Sequence, residues 1–126
     1  MLLVEDEEAA SEVARRGLER AGYRVLTAAD GQEALELVIA SGGQLDLVIS
    51  DVVMPRMSGS KLRAELNRRY PNIPVILMSG HTGELAPETE LGGQFLRKPY
   101  TLAKLTSTVR SMLDRASGEQ PEHREP

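Results

Sequence analysis

Two unbroken apolar runs, LVIS at 47–50 and VILMS at 75–79, flank a segment with helical spacing. A strand with one wet face alternates apolar and polar residues, whereas a strand covered on both faces does not. Parallel strands buried in this way must be joined by crossovers that pack on the sheet, usually helices.

The rest of the chain repeats the alternation. Leu2–Val4 reads as a first strand. Ala10, Val13, Ala14, Gly17, Leu18 and Ala21 then recur every three or four residues, opposite Glu12, Arg15, Arg16 and Glu19, and Gly22 ends that helix. Arg24–Ala28 is the second strand. Asp30 and Glu33 have the spacing of a capping box, opening a helix with Ala34, Leu35, Val38 and Ile39 inward that ends at Gly42–Gly43. Leu45–Ser50 is the third strand. Ser58 or Gly59 opens a helix carried by Leu62 and Leu66 to about Tyr70. Val75–Ser79 and Gln94–Arg97 are strands four and five. Thr101 caps a last helix with Leu102, Leu105, Val109, Met112 and Leu113 inward. The expected fold is α/β: a flavodoxin-like (βα)5, doubly wound, five-stranded parallel sheet of order 2-1-3-4-5. Ligands of such sheets lie beyond the strand C-termini, where the strand order reverses.

The 126 residues suit one domain, 1–116, followed by a tail at 117–126. That tail, SGEQPEHREP, has too little apolar surface to order itself and is expected to be disordered. Without cysteine, disulfides and thiolate metal sites are excluded, and a reducing, cytoplasmic setting is expected. The net charge of −4 comes from mixed acids and bases, so a nucleic-acid partner is not expected. No apolar run approaches the roughly 18–20 residues of a membrane span, so no membrane contact is expected either.

The strand ends carry the chemistry. The first strand runs into Glu5–Asp6, the third into Asp51, the fourth into Ser79 and the fifth into Lys98. Strands one and three are neighbours in the expected order, so Glu5, Asp6 and Asp51 should converge. Crowded carboxylates repel and raise one another's pKa unless a cation intervenes. Hard oxygen ligands select Mg²⁺ or Ca²⁺. A lysine supplies a compact charge for phosphate, and a serine supplies a hydroxyl donor. Acids, a divalent cation, a lysine and a hydroxyl suit phosphoryl transfer, with a carboxylate as acceptor. Asp51, central and alone at its strand end, is the best-placed acceptor. Each residue also has an ordinary reading: Asp6 as a helix cap, Asp51 as a loop acid, Lys98 as a solvated strand end, Ser79 as a turn residue. All four at the same sheet edge is the feature those readings leave unexplained.

The pieces LLVEDE (2–7), DVVMPRMSG (51–59), VILMSG (75–80) and FLRKPY (95–100) resemble the receiver domain of two-component response regulators, over essentially residues 2–115. The resemblance implies that Asp51 accepts a phosphoryl group from a histidine of a kinase or phosphotransfer protein. It implies Mg²⁺ held by Asp6, Asp51 and the backbone carbonyl of Val53, with Glu5 acting through water. Lys98 would pair with the acid and later with the phosphoryl oxygens. Ser79 would hydrogen-bond a phosphoryl oxygen, and Phe95 matches the aromatic switch position. Lys98–Pro99 would be a cis bond. Helix one, with Ala10, Val13 and Ala14, matches the family's docking surface for the kinase dimerisation helices or a phosphotransfer protein. Such a domain is a bacterial phosphoprotein module, expected to be monomeric in isolation, that catalyses only its own phosphorylation and dephosphorylation. The abrupt start at Met1–Leu2 and the polar ending suggest the receiver of a hybrid histidine kinase rather than a stand-alone regulator.

The sequence departs from the family in two places. HTGELAPETELGG (81–93) should hold the fourth helix but contains Gly83, Pro87, Gly92 and Gly93. A short, distorted or missing fourth helix is expected there. Val53 and His81, two residues past Asp51 and Ser79, occupy positions that tune hydrolysis, and a valine cannot orient a water. A phosphatase with an aspartyl-phosphate intermediate would carry a second acid at 53. A nucleotide or flavin binder would need a glycine-rich loop that no strand precedes. A degenerate receiver acting as a phosphorylation-independent scaffold is the remaining alternative, and the full set of acids, Ser79 and Lys98 argues against it.

Overall fold

The computed structural model describes residues 1–79 and 94–116, with backbone alone at 94, 95 and 116. Five strands, β1 (Leu2–Val4), β2 (Leu26–Ala28), β3 (Val48–Asp51), β4 (Val75–Ser79) and β5 (Gln94–Arg97), form one sheet of order β2-β1-β3-β4-β5. All four strand pairings are parallel, as the apolar runs predict. Four helices are present among the described residues: α1 (Glu8–Arg20), α2 (Gly31–Ala40), α3 (Gly59–Arg69) and α4 (Leu102–Ala116). The expected defect in the fourth helix of the family falls on 81–93, outside the described residues, so α4 here is the last helix.

Successive side chains of a strand point to opposite faces, so the sheet supports two cores. Leu2, Val4, Val48, Val75 and Leu77 pack under α2 and α3 with Ala34, Val38, Leu62 and Leu66. Leu3, Ile49, Ile76, Met78 and Leu96 pack under α1 and α4 with Ala14, Leu18, Leu105 and Val109. Fully burying one such aliphatic side chain contributes about 1.5–3 kcal/mol, so these residues fix which face each helix covers.

Several expectations need correction. β2 starts at Leu26 rather than Arg24, and β3 at Val48 rather than Leu45. Val13, expected inward, is 59% exposed, because the buried stripe of α1 runs through Ser11, Ala14 and Leu18. Ile39 is likewise exposed, one position past Val38 and outside the buried face of α2. Leu102 at the start of α4 is also exposed rather than buried. The helix starts agree better. Asp30 accepts the N–H of Glu33, Ser58 that of Lys61 and Thr101 that of Lys104. The reciprocal bond of the capping box is shifted by one residue: Glu33 accepts the N–H of Ala29, not of Asp30.

Candidate functional site

The parallel register decides which side chains meet. Val4 lies opposite Ser50 across β1 and β3, so Glu5 and Asp51 leave the sheet side by side. Carboxylate oxygens of Glu5, Asp6 and Asp51 all lie within 4.8 Å of one another. Glu5 and Asp51 are buried, whereas Asp6 is exposed. Lys98 approaches from beyond β4. Its backbone N–H donates to the Ser79 carbonyl at 2.8 Å, extending the β4–β5 ladder by one residue. Its Nζ then stands 3.1 Å from Glu5 Oε1 and 3.0 Å from the Asp51 carboxylate. The Lys98–Pro99 peptide bond is cis.

The loop after Asp51 returns at once to open α3. Gly59 N–H donates to the Val52 carbonyl at 2.8 Å. A β-carbon at Gly59 would stand 2.1 Å from the Asp51 carbonyl oxygen, so the turn closes tightly only with glycine. Ser50 Oγ donates to that same carbonyl at 2.9 Å. The backbone around Asp51 is therefore held from both sides.

Burial and the neighbouring Glu5 push the Asp51 carboxyl up to about 7, against the pull of Lys98. Burial also works against a charged Glu5. Its hydrogen bonds with Asp51, the Glu7 N–H (3.2 Å) and Lys98 outweigh that, and Glu5 is held below its ordinary value. The two acids titrate as an interacting pair, with Asp51 shifted up and Glu5 down. Burial lowers Lys98, but both acids raise it, and the net direction is up. With three acids to one lysine, two of them in contact with it, the cluster carries an excess of negative charge when ionised. Its donors are all oxygens, the ligand chemistry of a hard divalent cation.

Ser79 is buried at the end of β4, one residue beyond the Met78 that pairs with Asp51. Val53 is 58% exposed, two residues past Asp51. Phe95 pairs with Leu77 through its backbone, but its side chain, like all of His81, lies outside the described residues. Two participants escaped the sequence reading. Tyr100 is partly buried, and its hydroxyl is raised by burial and then by the charge of Glu5. It stands in the FLRKPY segment, two residues past Lys98, which was the available signal. Arg56 pairs with Asp30, and no local pattern marks it. Beside the acids runs a groove of about 510 Å³, with Ala10, Val13 and Ala14 of α1 on one wall and Lys98, Pro99 and Tyr100 on the other. Val13 is exposed because it faces this groove rather than the core.

Residues 1–110 match the response regulator receiver domain family. The chain belongs to that family. Among curated relatives, this receiver is 42% identical to the sensor kinase CckA of Brucella abortus over 120 residues, which cover 91% of this chain and 12% of that kinase. It spans about half the length of the bacterial regulators it also matches. Among solved structures, the receiver domain of the hybrid histidine kinase CckA is 40% identical, with TM-score 0.76 over 89% of this chain and 96% of that one. A Clostridium thermocellum receiver domain protein superimposes with TM-score 0.85 at 28% identity, covering 94% of this chain and 97% of its own. The response regulator TrrA of Thermotoga maritima, solved in complex with Mg²⁺-BeF, gives TM-score 0.79 at 27% identity over 88% of this chain and 96% of that one. The five-stranded order is thus that of a receiver domain. No described helix is long and apolar enough to cross a membrane.

Proposed function

We propose that this receiver takes a phosphoryl group from a phosphohistidine onto Asp51 in a Mg²⁺-dependent step, and switches conformation as a result. The observation that carries this reading is the convergence of Glu5, Asp6 and Asp51 with Lys98 at the edge of the sheet. An Asp51 carboxylate oxygen forms the new O–P bond while the P–N bond of the donor breaks, and the imidazole leaves. Asp6, Asp51 and the Val53 carbonyl, with Glu5 through water, are the residues that would hold Mg²⁺. When bound, the ion neutralises the negative charge of acids and phosphoryl oxygens alike. Lys98 holds Asp51 before transfer and a phosphoryl oxygen after it. The Ser79 hydroxyl binds a further phosphoryl oxygen and relays the change to Phe95, while Val53 and His81 tune the return reaction. The Mg²⁺-BeF complex of TrrA supports the cation assignment by analogy.

The groove between α1 and the loop after β5 suits the helices of a kinase or a phosphotransfer protein, which bring the donor histidine to Asp51. The likeness to CckA favours a hybrid histidine kinase as the parent, and a cytoplasmic setting with it. The deciding experiment is intact mass after incubation with a small phosphodonor and Mg²⁺. One added phosphoryl group on wild type, absent with chelator, is the expected result. No addition on a folded protein that binds Mg²⁺ overturns the reading and favours a scaffold.

A further inference from the structure

The loop from Asp51 to α3 is anchored at its tip as well as at its base. Met57 N–H donates to the Pro55 carbonyl at 2.7 Å, closing a three-residue turn around Arg56. Arg56 takes φ +68, the only non-glycine residue with positive φ among the described residues. This turn is uncommon and strained for a residue with a β-carbon. Glycine or asparagine would adopt it at lower cost. What arginine adds is reach. Its guanidinium donates to Asp30 Oδ2, 26 residues earlier in the chain. Asp30 is 3% exposed and its other oxygen caps α2 through the Glu33 N–H at 2.8 Å. The turn is also pressed onto that helix end: a β-carbon at Gly31 would stand 2.5 Å from the Met57 carbonyl oxygen. The clasp therefore joins a helix start to the loop that carries Val53.

We infer that Arg56 is a positioning residue: its pair with Asp30 fixes the 53–57 loop, and with it the Val53 carbonyl assigned to the cation. This rests on the Mg²⁺ reading above. A ligand held in place before binding loses less freedom on binding, so the clasp should tighten Mg²⁺. Simple electrostatics predicts the opposite sign, because removing a positive charge near a cation site should strengthen cation binding.

The test is Mg²⁺ titration by calorimetry on the full chain, together with amide exchange at 53, 54, 56 and 57 without metal. Arg56→Asn tolerates the left-handed conformation but is too short to reach Asp30. Arg56→Lys keeps charge and reach. The expected result is a Kd about three- to tenfold weaker for Arg56→Asn, faster exchange at those amides, and substantial rescue by Arg56→Lys. Unchanged or tighter Mg²⁺ binding in Arg56→Asn overturns the inference. If wild type binds no Mg²⁺, the cation assignment above fails by itself. The exchange data then decide the clasp: faster exchange in Arg56→Asn only supports it, and equal exchange in all three proteins overturns it.

Discussion

Two aspartates sit at the same edge of the sheet, both nearly covered, and their surroundings treat them oppositely. Asp30 follows β2 and is 3% exposed, and Asp51 ends β3 and is 8% exposed. The N–H of Glu33 holds Asp30 below the ordinary carboxylate range against its burial, and the Arg56 guanidinium adds to that. Asp51 is pushed the other way by its burial, and Glu5 adds to the rise. Burial raises both, but it is the largest cause only at Asp51, whereas at Asp30 a backbone donor outweighs it. The supply of donors differs as well. Each oxygen of Asp30 has a donor of its own. Asp51 shares one ammonium with a second acid. A carboxylate whose donors are supplied by the fold is finished as a structural element. One with too few donors remains open to a cation and to an electrophile.

The largest expected difference between the two is in phosphoryl uptake. At saturating Mg²⁺, Asp51→Asn should show no mass increment with a small phosphodonor, while Asp30→Asn should still reach one added group. Uptake by Asp51→Asn, or its loss in Asp30→Asn, would break the contrast at its strongest point.

Stability without metal should separate them next, and with a sign. The folded pKa of Asp51 is raised from about 3.8 to about 7. A raised pKa contributes stability that is complete below the unfolded value and is lost as pH rises through the folded value. The loss therefore falls between about pH 4 and 7. Glu5 is shifted downward, so its contribution changes at lower pH, being lost as pH falls. In chelator at pH 8, Asp51→Asn should be more stable than wild type by roughly 2 kcal/mol, allowing for solvent screening and the coupling to Glu5. At pH 5 most of that gain should vanish. Urea melts at the two pH values measure it, and a destabilised Asp51→Asn at pH 8 contradicts the electrostatic account of the pocket.

Asp30 should respond in the opposite direction and by less. Asp30→Ala removes the cap of α2 and should cost about 1 kcal/mol, with little change between pH 6 and 8. A stabilised Asp30→Ala in the same melts would show that its donors do not compensate its burial.

The contrast also explains what was legible beforehand. Strand order, β4, β5 and the meeting of Glu5, Asp6, Asp51 and Lys98 follow from apolar runs and from where each run stops, because a parallel sheet aligns its strand ends. The cap by Asp30 is local, three residues from its partner, and equally readable. The Arg56–Asp30 pair is not, since it spans 26 residues and depends on how α2 and the loop after β3 dock. Val13 and Ile39 misled for another reason. Each lies next to a buried position, and apolar character at the border of a stripe does not say whether core or groove lies beyond it. The role of 81–93 turns on a segment whose glycines and proline weaken every local signal.

The smallest effect concerns Val53, on the loop that joins the two aspartates. Its side chain is 58% exposed beside the acceptor. A branched alkyl group there can neither donate to nor accept from a water attacking phosphorus. Asparagine is of similar size and can do both. Val53→Asn should shorten the phosphoryl lifetime about threefold, which corresponds to about 0.6 kcal/mol of barrier. Fold stability should change by less than about 0.5 kcal/mol, because the position is on the surface. The decay of the mass increment over time, after removal of the donor, reads the lifetime directly. A threefold change with unaltered Mg²⁺ affinity assigns the effect to the water. A change in Mg²⁺ affinity instead would mean that the substitution moved the loop, and so acted through the clasp at Asp30. An unchanged lifetime would leave the hydrolytic water to be oriented from elsewhere in the pocket and remove Val53 from the list of tuning residues.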